Sequence, residues 1–323
     1  MRKSTMALGV AAAVAAWTAA SHASAETAAP VPYPQRIVTL VTHSSPGSGS
    51  DVFLRELVKY LHKYINANFI VENDGGGSGA KAMSRVAIAK PDGATFYAAT
   101  PTYILTSLLS KPGKTYRDLE PVVNFFTDAG FVYARADGPY KTLNDVIGHA
   151  KTARGRWGVS NPGSLERQAA ESLKLAAKVN VAIVSHDGGS AMMINVLNGT
   201  LDAGLGEIEE IRPQLEGRKL RLLAALSDAR IDGFPDVPTA KELGYNVVLV
   251  KFRGLAGPKG LPPEIVKIWD EAAEKILADP DYRKIYDAEN LVPLYLAHDR
   301  YAPYIAQFAA ETSTFLKGTG VIR

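Results

Sequence analysis

The feature that most constrains this fold is a recurring unit of short apolar strand, small-residue loop and amphipathic helix. Residues 37–42 (IVTLVT) read as a buried strand, 43–50 as a Ser/Gly/Pro loop, and 52–64 carry apolar residues at helical spacing. The unit repeats with a strand at 69–72, a glycine loop at 75–79, a helix at 80–89, the turn Pro91-Asp92-Gly93 and a strand at 95–100. Alternation at this spacing predicts βαβ units on a parallel or mixed sheet. A second series follows, with helices at 143–152, 164–177 and 192–197, an extended segment at 156–159, and strands at 181–184, 201–205 and 219–226. Two series predict an α/β protein of two lobes, each a sheet flanked by helices. The block after the Gly/Pro turn at 255–263 is read as helical from 264 onward and is too small to be a lobe, so it is expected to return to the first. This assigns 26–135 plus 252–323 to lobe 1 and 136–251 to lobe 2, with the chain crossing between them near 131–136 and 247–253.

The N-terminus sets the expected compartment. Arg2 and Lys3 precede an apolar run over 6–20, and the small-residue site Ala23-Ser24-Ala25 follows, the pattern of a secretory signal peptide cut after Ala25. The competing reading, a short membrane anchor, needs about 20 apolar residues, more than this run supplies. Residues 26–36, rich in Ala and Pro, read as a flexible lead-in. Cysteine is absent, which excludes disulfides, thiolate metal sites and a lipid-anchoring cysteine. Losing Arg2 and Lys3 leaves a chain with 36 basic and 33 acidic residues nearly neutral, which argues against nucleic acid or a charged membrane surface as partner. The expectation is a monomer free in the periplasm.

In open sheets ligands bind beyond the carboxyl ends of strands, where loops lead into helices. The first such loop offers Ser44, Ser45, Gly47, Ser48 and Gly49 ahead of a helix start that favours an anion, with Asp51 expected as its N-cap. The second offers Thr100, Thr102 and Tyr103, and the third Ser160, Asn161 and Ser164, the last equally suited to capping. Arg167 gains nothing from its place in a helix first turn. A bidentate contact to a carboxylate would explain it, and a surface pair with Glu166 or Glu171 competes. Asp187 and Gly188 follow a further strand, beside His186. Glu207 is placed to face the cleft, while Glu209 and Glu210 read as first-turn carboxylates.

In their order these segments resemble the tripartite tricarboxylate transporter receptors, also called Bug-type or TctC-like periplasmic binding proteins. The resemblance rests on Tyr33-Pro34-Gln35-Arg36-Ile37 before Pro46-Gly47-Ser48-Gly49-Ser50-Asp51, on Val71-Glu72-Asn73 and on Lys90-Pro91-Asp92-Gly93. It continues through Asp118-Leu119-Glu120-Pro121-Val122, Asn198-Gly199-Thr200-Leu201-Asp202, Phe234-Pro235-Asp236-Val237-Pro238-Thr239 and Ala256-Gly257-Pro258-Lys259-Gly260-Leu261-Pro262. It implies a two-lobed, type II-like binding protein with a two-segment hinge and a cleft that closes on a small carboxylate, delivered to membrane transporter subunits; hinge closure in such proteins is a standard example. It implies no catalysis, cofactor or metal. The carried-over ligand loops are 44–50, 100–103 and 160–164. Departures from the family pattern at Arg167, Glu207 and Arg253 imply a more charged cleft than is usual, suited to a carboxylate that bears a second polar group.

Three other readings compete. An exported hydrolase would need Gly-x-Ser-x-Gly, which neither Gly47-Ser48-Gly49 nor Gly77-Ser78-Gly79 supplies. A dinucleotide site at Gly75-Gly76-Gly77-Ser78-Gly79-Ala80 lacks its acidic residue, Tyr97-Ala98-Ala99-Thr100 standing in that place. A metal held by His43, His186 and Glu207 has no helical ligand spacing. A sensor subunit for a membrane signalling partner shares the binding fold and is the alternative role.

Overall fold

A computed structural model describes residues 31–318 and 320–323. The signal-peptide reading of 1–25 lies outside them. Strand β1 (Val31–Thr42) is next to the edge of the first sheet, flanked in parallel by β2 (Ile65–Asn73), the edge strand, and β3 (Thr95–Ala99). Helices α1 (Gly49–Leu61), α2 (Ala80–Ala87) and α3 (Pro101–Ser110) make the crossovers. The expected flexible lead-in is corrected here, because 31–36 already belong to β1. Val31 and Pro32 pair with Ile65 and Asn66, and the register then shifts before Ile37 meets Asn68. Pro32 and Pro34 cannot donate to a ladder, so the irregularity falls where they stand.

Strand β4 (Leu119–Arg135) is shared by both sheets. Up to Ala129 it pairs with β9 (Val250–Pro258), and from Gly130 it pairs with β7 (Ala203–Glu207) and β8 (Leu220–Leu226). The second sheet is completed by parallel β5 (Gly155–Val159) and β6 (Val181–Ser185), with helices α4 (Leu143–Thr152), α5 (Leu165–Ala177), α6 (Gly189–Leu197) and α7 (Ile208–Glu216) around it. The chain returns through β9, antiparallel to β3, into α8 (Pro263–Ala278), α9 (Pro280–Ala288), β10 (Val292–Leu296) and α10 (His298–Gly318). The expectation of helix alone after 264 missed β10, which pairs antiparallel with β4. Its pairing is remote in sequence and it contains Pro293, so no local pattern marks it.

The first sheet has a core on each face. Val38, Leu40, Phe53, Phe96 and Trp269 fill one, and Val41, Tyr97, Tyr103, Phe252 and Tyr301 fill the other, where α10 packs. Trp157, Leu205, Leu173 and Leu249 lie in the core of the second lobe. Both faces of lobe 1 are therefore covered, the arrangement expected of strands that read as continuous apolar runs.

Where the sheets change partners the two crossing segments touch. Gly130 N–H donates to the Leu249 carbonyl at 2.9 Å, and Leu249 N–H donates to Leu226 at 2.7 Å. A Cβ on Gly130 would stand 2.6 Å from a Leu249 methyl. Gly130→Ala should therefore destabilise the protein by about 1–3 kcal/mol, as overpacking does, measured as a lower midpoint in urea with unchanged m.

Candidate ligand-binding site

The strand-to-helix loops of the two lobes meet face to face. From lobe 1 come Ser44 and Gly49 at the start of α1, with Thr100 and Thr102 at the start of α3. From lobe 2 come Ser160 and Asn161 after β5, Gly189 at the start of α6, and Glu207 and Glu210 at the start of α7. With His43, Ser50, Glu166, Lys251 and Arg253 they line a small polar cavity.

The first loop is braced from below. Ser50 Oγ donates to Ser44 Oγ and lies 2.8 Å from Thr42 Oγ1. Asn73 Nδ2 donates to the Ser44 carbonyl at 2.9 Å and to Asp51 at 2.8 Å. Asp51 is not the expected N-cap. Ser48 holds that position, and Asp51, three residues on, accepts the Gly47 N–H at 2.8 Å and pairs with Arg55. Gly47 is itself left-handed, at φ 77°, which is why the loop turns there.

The floor of the cavity is a buried ion cluster. Alternation along β9 places Lys251 and Arg253 on one face, with Phe252 turned into the lobe 1 core. Lys251 Nζ lies 2.6 Å from Glu166 and 2.5 Å from Glu207. Arg253 Nη2 is shared by Glu209 at 2.7 Å, Asp128 at 2.8 Å and Glu207 at 3.4 Å. Asp128, Glu207 and Glu209 are grouped closely enough to ligate a metal ion, but the Arg253 guanidinium stands among them. Ser160 Oγ also donates to Glu166, at 2.6 Å.

Burial sets the protonation in this cluster. It pushes Asp128, Glu207, Glu209 and Glu210 above the ordinary carboxylate range, Arg253 and Lys251 only partly opposing it. Glu166 differs: burial would raise it, but Lys251 and the Ser160 hydroxyl together hold it below its ordinary value. Lys251 itself, which burial alone would lower, is held up by Glu166 and Glu207. His43, whose Nδ1 lies 2.9 Å from the Tyr97 hydroxyl, is lowered to about 4 by burial and then by the two cations.

Eight of the sequence-predicted residues line this cavity: Ser44, Gly49, Thr100, Thr102, Ser160, Asn161, Glu207 and Arg253. Others meet at its mouth. Ser45 Oγ donates to the Asp187 carbonyl at 3.0 Å, and Ser48 Oγ accepts the Ser190 N–H at 3.2 Å. Ser190 Oγ in turn donates to the Pro46 carbonyl at 2.9 Å. Gly188 permits this approach, since a Cβ there would lie 2.4 Å from Ser48 Oγ. Ser164 caps α5, accepting Arg167 N–H at 3.1 Å.

Tyr103 and Arg167 are not at the cavity. Tyr103 is fully buried in the lobe 1 core between Tyr97 and Phe252. Arg167 pairs with Glu171 at 2.7 Å and lines a separate apolar pocket with Leu175 and Phe315. The surface pair is thus the arrangement it adopts. The sequence reading missed His43, Glu166, Gly189, Glu210 and Lys251 as wall residues, while Ser50 lies within the ligand loop 44–50 that the resemblance implies. The spacing of Lys251 and Arg253 on one strand face was the available signal for the cations.

The sequence profile described as "Tripartite tricarboxylate transporter family receptor" matches residues 53–321. The chain belongs to this family. A UPF0065 protein from the gbd 5' region of Cupriavidus necator is 32% identical over 283 residues, 87% of this chain and 85% of the relative. A solved periplasmic transporter superimposes with a TM-score of 0.83 at 25% identity, covering 90% of this chain and 99% of its own. A Rhodopseudomonas palustris protein solved with adipate gives 0.84 at 23% identity, with 90% and 99% covered, a likeness of fold. This tripartite tricarboxylate transporter receptor thus has the two-lobed fold of its family, and its buried ion cluster lies where the lobes meet.

The lowered His43 gives a test by pH. Between about 4 and its ordinary 6.5, the unfolded chain takes up a proton that the folded chain refuses, so the His43 contribution is lost as pH falls through that window. The stability of the wild type relative to His43→Gln should drop by up to about 3 kcal/mol between pH 7 and 4, read from paired urea titrations in which the acidic cluster is common to both.

Proposed function

We propose that this receptor works in the bacterial periplasm, closes its lobes over a small carboxylate and passes it to the membrane subunits of a tripartite tricarboxylate-type transporter. The observation that carries the reading is the polar cavity walled by loops of both lobes, since a solute touching both walls stabilises the closed arrangement over an open one. The paired crossings at 129–130 and 249–250 are the proposed hinge, dividing a lobe of 26–135 plus 252–323 from one of 136–251. Among the described residues no helix is long and apolar enough to cross a membrane. The role is capture and release, with no bond made or broken.

The carboxylate is assigned to the start of α3. Thr100 occupies the N-cap position without spending its hydroxyl on the helix. Its Oγ1 is buried in the cavity wall without a hydrogen-bond partner. An anion there would meet that hydroxyl, Thr102 and the positive end of a helix. The start of α1, the site the loop sequence favours, is already taken: Gly49 N–H donates to Glu210 at 2.7 Å.

Thermal-shift and calorimetric titration of the purified protein against mono-, di- and tricarboxylates and aromatic acids tests this. A ligand at 100 times its Kd should add about 2.7 kcal/mol of stability. A response to sugars with none to any acid would remove the carboxylate reading. Thr100→Val should weaken the best acid by at least tenfold, as loss of a charge-assisted hydrogen bond does. Arg167→Ala should leave its Kd within about twofold, because that side chain lies outside the cavity.

A further inference from the structure

We infer that the solute held in this cleft carries, besides its carboxylate, a positively charged nitrogen with N–H donors that seats against Glu210. The inference rests on the cleft-closure reading above. In the cluster beneath the cavity four carboxylates share two cations, and a fifth, Glu210, stands beside them. Lys251 is divided between Glu166 and Glu207, and Arg253 among Asp128, Glu207 and Glu209. Glu210 has neither cation within ion-pair distance. Its Oε1 takes the Gly49 N–H, and its Oε2 has no hydrogen-bond partner although the residue is 7% exposed. Glu166 Oε2, in the same wall, is also without a hydrogen-bond partner.

A buried carboxylate without a counter-charge is costly, and so is a buried acceptor without a donor. An ammonium or amidinium group answers both, supplying charge and N–H donors at once. A plain acid supplies neither. A divalent cation is disfavoured because Arg253 Nη2 occupies the space among Asp128, Glu207 and Glu209. The glycines set the distance of approach. A Cβ on Gly189 would stand 1.9 Å from Glu210 Oε2, and one on Gly49 would stand 2.6 Å from Glu209 and from Arg253. These backbones therefore press against the acidic groups with no side chain between.

The test titrates the wild-type protein with carbon-matched pairs: 2-, 3- and 4-carbon acids, the same acids bearing an amine, and the guanidino acids, with 1,4-diaminobutane and calcium alongside. At least one amine- or guanidine-bearing acid should bind ten or more times tighter than its matched plain acid. Glu210→Gln, near in size to glutamate, should remove that preference, so that within the variant the amine-bearing acid binds no tighter than its matched plain acid. Plain acids binding as well as their amine partners, or no cationic compound in the panel binding, would overturn the inference and leave the carboxylate receptor standing. Diamine binding with no acid bound would overturn the carboxylate reading and, with it, the inference that one solute carries both groups. Calcium binding in place of the amines would also overturn it, and the wild-type pairs decide the matter even where the variant fails to fold.

Discussion

Lys251 and Arg253, two residues apart on β9, neutralise carboxylates that arrive from several directions. Glu166 comes from the start of α5, Glu207 and Glu209 from the start of α7, and Asp128 from β4 just before the sheets change partners. Because β9 belongs to the lobe 1 sheet and α5 and α7 to lobe 2, these pairs tie the lobes together at the back of the cleft. Removing either cation leaves several buried charges uncompensated, which costs far more than the pair contributes over an apolar replacement. The cluster therefore specifies one relative placement of the lobes more than it adds to stability.

Around that cluster the helix starts divide their work. The N-terminus of α1 is satisfied internally by Glu210, that of α5 by Ser164, and that of α3 keeps a buried hydroxyl in reserve at Thr100. Any anion-favouring helix start can take an anion from solution or from its own chain. Here Glu210 of the facing lobe supplies the start of α1, while Thr100 Oγ1 at the start of α3 has no hydrogen-bond partner.

The sequence made the architecture legible where the signal was local. The strand and helix units of both lobes follow from apolar periodicity, and the three Ser/Gly/Thr loops follow from their position after strands. It concealed what depends on remote partners. It placed Arg253 in the cleft but hid Lys251 beside it, and the carboxylates that bury the two come from α5, α7 and β4, far off in sequence. Glu210 reads as a solvated first-turn acid until Gly49 and Gly189 close over it. The error at Arg167 ran the other way, since Glu171 four residues on offered a local pair and a longer-range role was entertained beside it. Strand β4 escaped because Asn124 and Thr127-Asp128 interrupt its apolar residues, although the one strand runs on through two cores.

The mouth of the cleft is joined differently from its floor. Ser45, Ser48 and Ser190 bridge the lobes through hydroxyls and backbone groups, with no ion pair among them. Neutral bonds at a wetted rim exchange readily with water and are indifferent to ionic strength. The front edge is thus joined by short neutral bonds that salt does not screen, whereas the floor is joined by ion pairs that burial shields from it.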